Sequence, residues 1–420
     1  MKNLMGTGLT VIFLFFMGCD DEETTICCNG SNDLKDSEVL ISNNINGTRE
    51  FVSDSIYILT TRIVVEDGAT LSIEAGTIIK GRAGSGENAS VLIIARGAKL
   101  NVNGTSDAPV IFTSEADKIE PGSIASPNLT SDIAGLWGGV IILGKAPGSF
   151  KNDALEIPIE GIPTTDTNGM YGGSQATDNS GTINYISIRH GGTNIGEGNE
   201  INGLTLGSVG SGTSIKGVEV VGNADDGIEW FGGTVNVSNV MIWNSNDDAM
   251  DTDQDWVGTC SDFIIVSPNG GSAFELDGPE GTEKVNDDIR TYHLFENGTL
   301  YTGTSIDHII DWDENTNAAI KDLYIFGISD DYAIIPDGND DNTDPDFEPI
   351  ESFEGDKSGK SSGWEVTLSI SNRSLEEIFG TDAPAIIEEV TLGSKTKGPS
   401  TTDFEWTWAS KSATLTDIGL

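Results

Sequence analysis

Three features predict an all-β chain built as a right-handed parallel β-helix. Short β-branched runs are separated by Gly, Asn and Asp turns, a repeat recurs every 22 to 24 residues, and residues 50 to 335 carry no convincing amphipathic helix. Glycine supplies 52 of 420 residues, well above the usual ~7%.

The first residues read as an export signal. Met1-Lys2 gives a positive start, and Leu9 to Met17 (LTVIFLFFM) is an apolar run too short for the ~20 residues a membrane-spanning helix needs. Phe16-Met17-Gly18-Cys19 follows and reads as a lipobox, with Cys19 as the lipid-attachment residue. An ordinary secretory signal with an incidental Cys19 is the plainer alternative, but no A-x-A cleavage site is present. The expected division is a signal peptide at 1–18, a flexible acidic tether at 19–36, the β-helix at 37–336, an acidic loop insert at 337–358, and a last turn with a C-terminal cap at 359–420. Asp20-Asp21-Glu22-Glu23 opens the tether.

The repeats select the solenoid. DGATLSIEAGT (67–77) returns as RGAKLNVNGT (96–105). IKGVEVVGNADDGIEW (215–230) returns as VSNVMIWNSNDDAMDT (237–252), as CSDFIIVSPNGGSAFEL (260–276), and more weakly as IKDLYIFGISDDYAII (320–335). A propeller blade needs ~40–45 residues, so a period in the low twenties suits one turn of a β-helix, with turns stacked at ~4.8 Å. Val218, Val240 and Ile264 are expected to form one inward ladder, and Ile228, Met250 and Phe274 another. Trp364, Trp406 and Trp408 are assigned to the cap over the open end, with sugar stacking as their functional alternative.

Lys plus Arg number 22 against 67 Asp plus Glu, a net charge of −45 that disfavours nucleic acid and favours cations. Between Lys216 and Lys284 there are 14 carboxylates and no basic residue. Threaded on the repeat, Glu229, Asp251 and Glu275 occupy one strand position, Asp253 and Asp277 lie two residues on, Asp225-Asp226 stack with Asp247-Asp248, and Asp255 follows. Stacked carboxylates repel unless they protonate or share a cation. An oxygen-only set without His or Cys suits Ca²⁺, so these ten residues are the expected metal ligands. Turn Asp residues capping backbone N–H groups are the structural alternative. Asp311-x-Asp313-x-Asn315 and Asp337-x-Asn339-x-Asp341 with Glu348 resemble Ca²⁺ loops but lack the Gly at position six. The cysteines form no CxxC pattern, and a bridge from Cys27 or Cys28 to Cys260 is left open.

The blocks GTIIKGR (76–82), PVIFTSEAD (109–117), GLWGGVIILGKAP (135–147), ISIRHGG (186–192), GNEINGLTLGSVGSGT (198–213), DDGIEWFGGTVNVSNVMIWNSNDDAMDTD (225–253) and FEWTWAS (404–410) resemble a family of parallel β-helix surface proteins common in Bacteroidota. The resemblance implies a lipid-anchored protein of the outer membrane, exposed at the cell surface. It further implies association with a TonB-dependent outer-membrane transporter, while a polysaccharide is the partner expected on the carbohydrate-active alternative.

The expected function is therefore a calcium-stabilised surface lipoprotein that binds a ligand or transporter without transforming it. Two alternatives stand beside it: a polysaccharide lyase or hydrolase on the same scaffold, and a structural or adhesion protein. Asp225-Asp226 and Asp247-Asp248 are similar to polygalacturonase carboxylate pairs, but the acidic segment offers no Arg or Lys base. His190, after Arg189, is either a catalytic residue or a hydrogen-bonded turn histidine. The anchoring is directly testable: Cys19→Ala should move the protein from the membrane to the soluble fraction, and unchanged partition with membranes would refute the lipobox.

Overall fold

The computed structural model describes residues 37–420 except 195–200, 267–270, 283–291, 304–305, 307, 313–315, 330–359, 370–373 and 380–384. Each turn of the chain lays down strands on three faces. Face A is an eight-stranded sheet running from Arg62–Val65 through Val91–Ile94, Val140–Leu143, Leu204–Gly207, Ile228–Phe231, Met250–Asp253 and Ser272–Leu276 to His308–Trp312. Faces B and C belong to one fifteen-stranded sheet. In the first turns they are separate strands, such as Lys99–Asn103 and Val110–Ser114; both pair with the single long strand Gly181–Arg189. Every pairing around the axis is parallel, which makes the fold a parallel β-helix.

The long strands bend between faces B and C at one residue per turn. Tyr185, Asn239, Asp262, Asn297 and Asp322 have φ of 49 to 58°, and Gly217 has 76°. Pairing skips each of them, as from Asn184↔Lys216 to Ile186↔Val218. Asn and Asp enter this left-handed region more readily than other non-glycine residues, which explains their recurrence at the bend. Asn297 Nδ2 donates to Asp262 Oδ1 at 2.6 Å, so the corner also stacks through its side chains.

The interior is apolar. Ile63, Leu92, Val140, Leu204, Ile228, Met250, Phe274 and Ile310 stack on face A as expected for Ile228, Met250 and Phe274. On face C the register corrects the expected ladder: Val218 and Val240 stack on Phe263, while Ile264 pairs with Met241 and points outward. The step is 23 residues on face C and 24 on face A, so the extra residue falls between Val266 and Ser272. A slip of one residue exchanges the two sides of a strand. Here both sides are covered, so apolar alternation could not reveal it.

A long excursion covers the outer side of face A. Residues 144–180 leave the solenoid, and Phe150, Ile159, Ile162 and Tyr171 pack on the outward Val64, Ile93, Ile141 and Phe231 of face A. The Arg62–Asp166 pair (3.0 Å) and the Arg96–Glu156 pair pin this excursion.

The C-terminal segment differs from the expected end cap. Trp364–Ser369 and Ile387–Glu389 continue the long sheet, but residues 400–420 fold back over the outer side of face C. Phe404, Trp408 and Leu415 there bury Val221, Met241, Trp243, Ile264 and Val266. The apolar outward ladder of face C needs a cover, and this segment supplies it. Trp364, Trp406 and Trp408 are all buried, which removes them as a sugar-stacking surface.

Cys260 faces the interior between Val237 and Phe295 and is fully buried, a position a tether cysteine could reach only by opening the core. Cys19, Cys27, Cys28, Asp313, Asn315 and the 337–348 loop lie outside the described residues.

Gly298 sits in the inward ladder over Phe263, and a Cβ there would lie 2.0 Å from the ring. Gly298→Ala should therefore destabilise by about 1–3 kcal/mol through overpacking, and Phe263→Ala by about 3–5 kcal/mol through a cavity. The double variant should cost clearly less than the sum in chemical denaturation, because each change makes room for the other. Additive losses would refute this register.

Candidate metal centre

The acidic segment folds as three successive turns of face A, so its carboxylates inherit the ladder. Glu229 pairs with Asp251, Asp251 with Glu275, and Glu275 with Asp311, all pointing outward. The same outward position is Val64, Ile93, Ile141 and Thr205 in the earlier turns. The outer side of face A thus changes from apolar to acidic along the axis.

Outward does not mean exposed. Asp226, Glu229, Asp248 and Asp251 retain only 6 to 8% of their surface. Asn202 Nδ2 donates to Glu229 Oε2, and Glu160 of the 144–180 excursion adds its charge to Glu229. Among the described residues, two groupings bring their carboxylate oxygens within 4.8 Å of one another: Asp226, Glu229 and Asp251, all buried, and Asp225, Asp226 and Asp247, of which Asp247 is exposed. Asp251 Oδ1 and Asn202 Oδ1 are buried oxygens without a hydrogen-bond donor.

The capping alternative holds for Asp226, Asp248 and Asp253, the last accepting the Gln254 backbone N–H at 2.5 Å. Asp226 Oδ1 accepts the Asp248 backbone N–H at 2.9 Å, and Asp248 Oδ1 accepts that of Ser272. Glu275 lies beside Asp248 and Asp277, and Asp253 beside Asp277 and Glu280. Asp255 sits at the next corner with φ of 63° and joins neither close grouping.

Burial followed by mutual repulsion raises these acids. Asp226, Glu229 and Asp251 are pushed well above the usual carboxylate range by burial first, then by one another and by Asp248, Glu160 and Glu275. Burial, Glu280 and Asp277 bring Asp253 to about 7, and burial with Asp248 brings Glu275 to about 10.

Several members of the site come from outside the acidic segment. Lys151 reaches Glu280 at 2.7 Å, Tyr171 donates to Gln254 Oε1 at 2.7 Å, and Gln254 Nε2 donates to Glu280 at 3.3 Å. Lys151, Glu160 and Tyr171 arrive on the excursion, and no spacing in the sequence signals them. Lys151 brings to the acidic face an amine its own segment lacks. Arg189 and His190 take no part in it: they lie buried under Trp408 on face C.

A family model described as a pectate-lyase-like β-helix domain matches residues 44–300. The chain belongs to that family. No curated protein and no solved structure matches it. The match to the pectate-lyase-like β-helix spans the whole acidic segment and stops short of residues 400–420 on face C.

The raised acids set the sign of the pH dependence. Their folded values lie above their unfolded ones, so between about pH 4 and the folded values the native state binds more protons, and its stability falls as pH rises. His293, fully buried against Trp256, is lowered to about 3 and acts oppositely, losing stability as pH falls below about 6.5. The metal-free protein should therefore gain in Tm from about pH 8 to about pH 7, where the carboxyl effect dominates and the buried histidines do not yet oppose it. A flat or falling Tm over that range in EDTA would contradict the cluster.

Proposed function

We propose that this pectate-lyase-like β-helix is a calcium-stabilised, non-catalytic binding module, held at the outer membrane through a lipid on Cys19. The enclosed Asp226, Glu229 and Asp251 grouping with its unsatisfied Asp251 Oδ1 is the observation that carries the calcium reading. Ca²⁺ takes 6 to 8 oxygens at ~2.3–2.6 Å, so oxygens on opposite sides of the ion stand about 5 Å apart. Ligand atoms within 4.8 Å of one another are compatible with that sphere. Three carboxylates supply up to six oxygens, and the free Asn202 Oδ1 lies on a residue already touching Glu229. Burying such a set without a counter-charge is unfavourable, and an ion reverses the sign of every repulsion in it.

The burial of Glu229 and Asp251 supports a stabilising ion over a catalytic one, because a polymer substrate has no contact with enclosed carboxylates. Ligand binding then belongs to the exposed flank, with a polysaccharide or a TonB-dependent outer-membrane transporter as partner. A carbohydrate-active enzyme is the second reading. It is favoured by the family, and Lys151 stands beside Glu280 and Asp253, although these carboxylates raise its amine and so hold it in the protonated form.

One set of measurements separates them. Calcium at ~100 times its Kd should add ~2.7 kcal/mol, a rise of a few degrees in Tm. Glu229→Gln combined with Asp251→Asn should abolish that response and raise Tm in EDTA, since shape is kept and two repelling charges disappear. No response to calcium, together with a destabilised double variant, would overturn the ion. A polysaccharide panel, with and without calcium, should show binding without product; product release lost in Lys151→Met would establish the enzyme instead.

A further inference from the structure

The C-terminal segment crosses the outer side of face C against the direction of the solenoid. Its backbone first meets the late turns: Thr396 N–H and Oγ1 donate to Glu365 at 2.6 Å, and Lys397 pairs with Asp322 at 2.5 Å. Further on, Asn239 Nδ2 donates to the Asp403 carbonyl, and Trp406 Nε1 donates to Asn239 Oδ1 at 2.9 Å. Its far end docks on a polar cluster under cover. Trp408 lies 4.9 Å over the Arg189 guanidinium and meets the rings of His190 and Trp243, each at 5.6 Å. Glu219 holds both partners, accepting the Ala409 N–H and the Ser187 hydroxyl and pairing with Arg189 at 3.5 Å.

His190 is the sensitive member of that cluster. It is fully buried, and its Nδ1 donates to the Ile133 carbonyl at 2.6 Å, which fixes the tautomer and leaves the lone pair on Nε2. Nε2 has no partner. A proton there would create a buried N–H without an acceptor, on a cation next to Arg189. The charged groups acting on the ring are Asp117 and Asp132 from the 115–135 loop, which favour the proton, and Arg189 from its own strand, which opposes it. Burial outweighs them and lowers the histidine. On the strap side the packed neighbour is the Trp408 indole.

We propose that residues 400–420 form a releasable strap, latched by Trp408 on a neutral His190 and unlatched when Nε2 takes up a proton in acid. Release relieves the buried imidazolium and uncovers the outward ladder of Val221, Trp243 and Val266. The rest of the solenoid responds with the opposite sign above about pH 6.5, since its carboxyl cluster gains stability from protons. Strap opening is therefore separable from global unfolding.

Hydrogen exchange of the full chain in saturating calcium, corrected for intrinsic rate, reads the two separately. Between pH 7.5 and pH 4.5 the amides of 403–412 should lose protection by up to about tenfold per pH unit, while Ile228–Phe231 keeps its protection. His190→Gln, neutral at every pH, should keep the strap closed in acid. Trp408→Ala should open it at both pH values with the β-sheet signal intact. The proposal fails if wild-type strap protection is unchanged in acid, if His190→Gln still opens, or if Trp408→Ala leaves the strap protected.

Discussion

Parallel turns stacked at ~4.8 Å place each side chain directly over its counterpart in the turn below, and the remaining features of this protein follow from that spacing. Apolar residues gain from being stacked on their own kind, so the inward ladder from Ile63 to Ile310 is a single continuous core. Bends stack too, which is why Asn and Asp return at the left-handed corner between faces B and C. The same rule is unfavourable for charge. Glu229, Asp251 and Glu275 are brought together by the arithmetic of the repeat, and their electrostatic state is tied to the integrity of the solenoid.

Coverage from outside turns that repulsion into a strong effect. The 144–180 excursion shields the apolar end of the outward face A ladder and extends its edge to the acidic end, where Glu160 joins Glu229. Exposed carboxylates at this spacing would be screened by water and salt. Enclosed ones either hold protons or hold an ion, and both choices make the fold responsive to its medium. On face C the strap creates a second enclosed polar cluster, in which Arg189 is compensated by Glu219 while His190 must stay neutral.

The two clusters respond to acid in opposite directions. Protons relieve the carboxylates on face A and burden the imidazole on face C. Their coexistence in one rigid scaffold gives a protein whose body tightens under mild acid while an appended segment loosens. The strap lies outside the matched family span while His190, Arg189 and Glu219 lie within it, so this second response couples the C-terminal segment to the pectate-lyase-like body.

The sequence by itself determined the parallel β-helix, the in-register stack of Glu229, Asp251 and Glu275, and the ladder of Ile228, Met250 and Phe274, because each is a consequence of a local period. It could not place the inward residue at Phe263 in preference to Ile264. Both are apolar, since the strap covers the outer side that would otherwise be polar. Nor could it separate the capping residues Asp226 and Asp248 from Asp251, whose buried Oδ1 has no hydrogen-bond donor. Only the tertiary structure decided that the carboxylates are buried, that Lys151 stands beside them, and that Trp406 and Trp408 lie along the flank and not over the open end. Those contacts join segments more than a hundred residues apart, and nothing in the spacing of a repeat encodes where a long excursion lands.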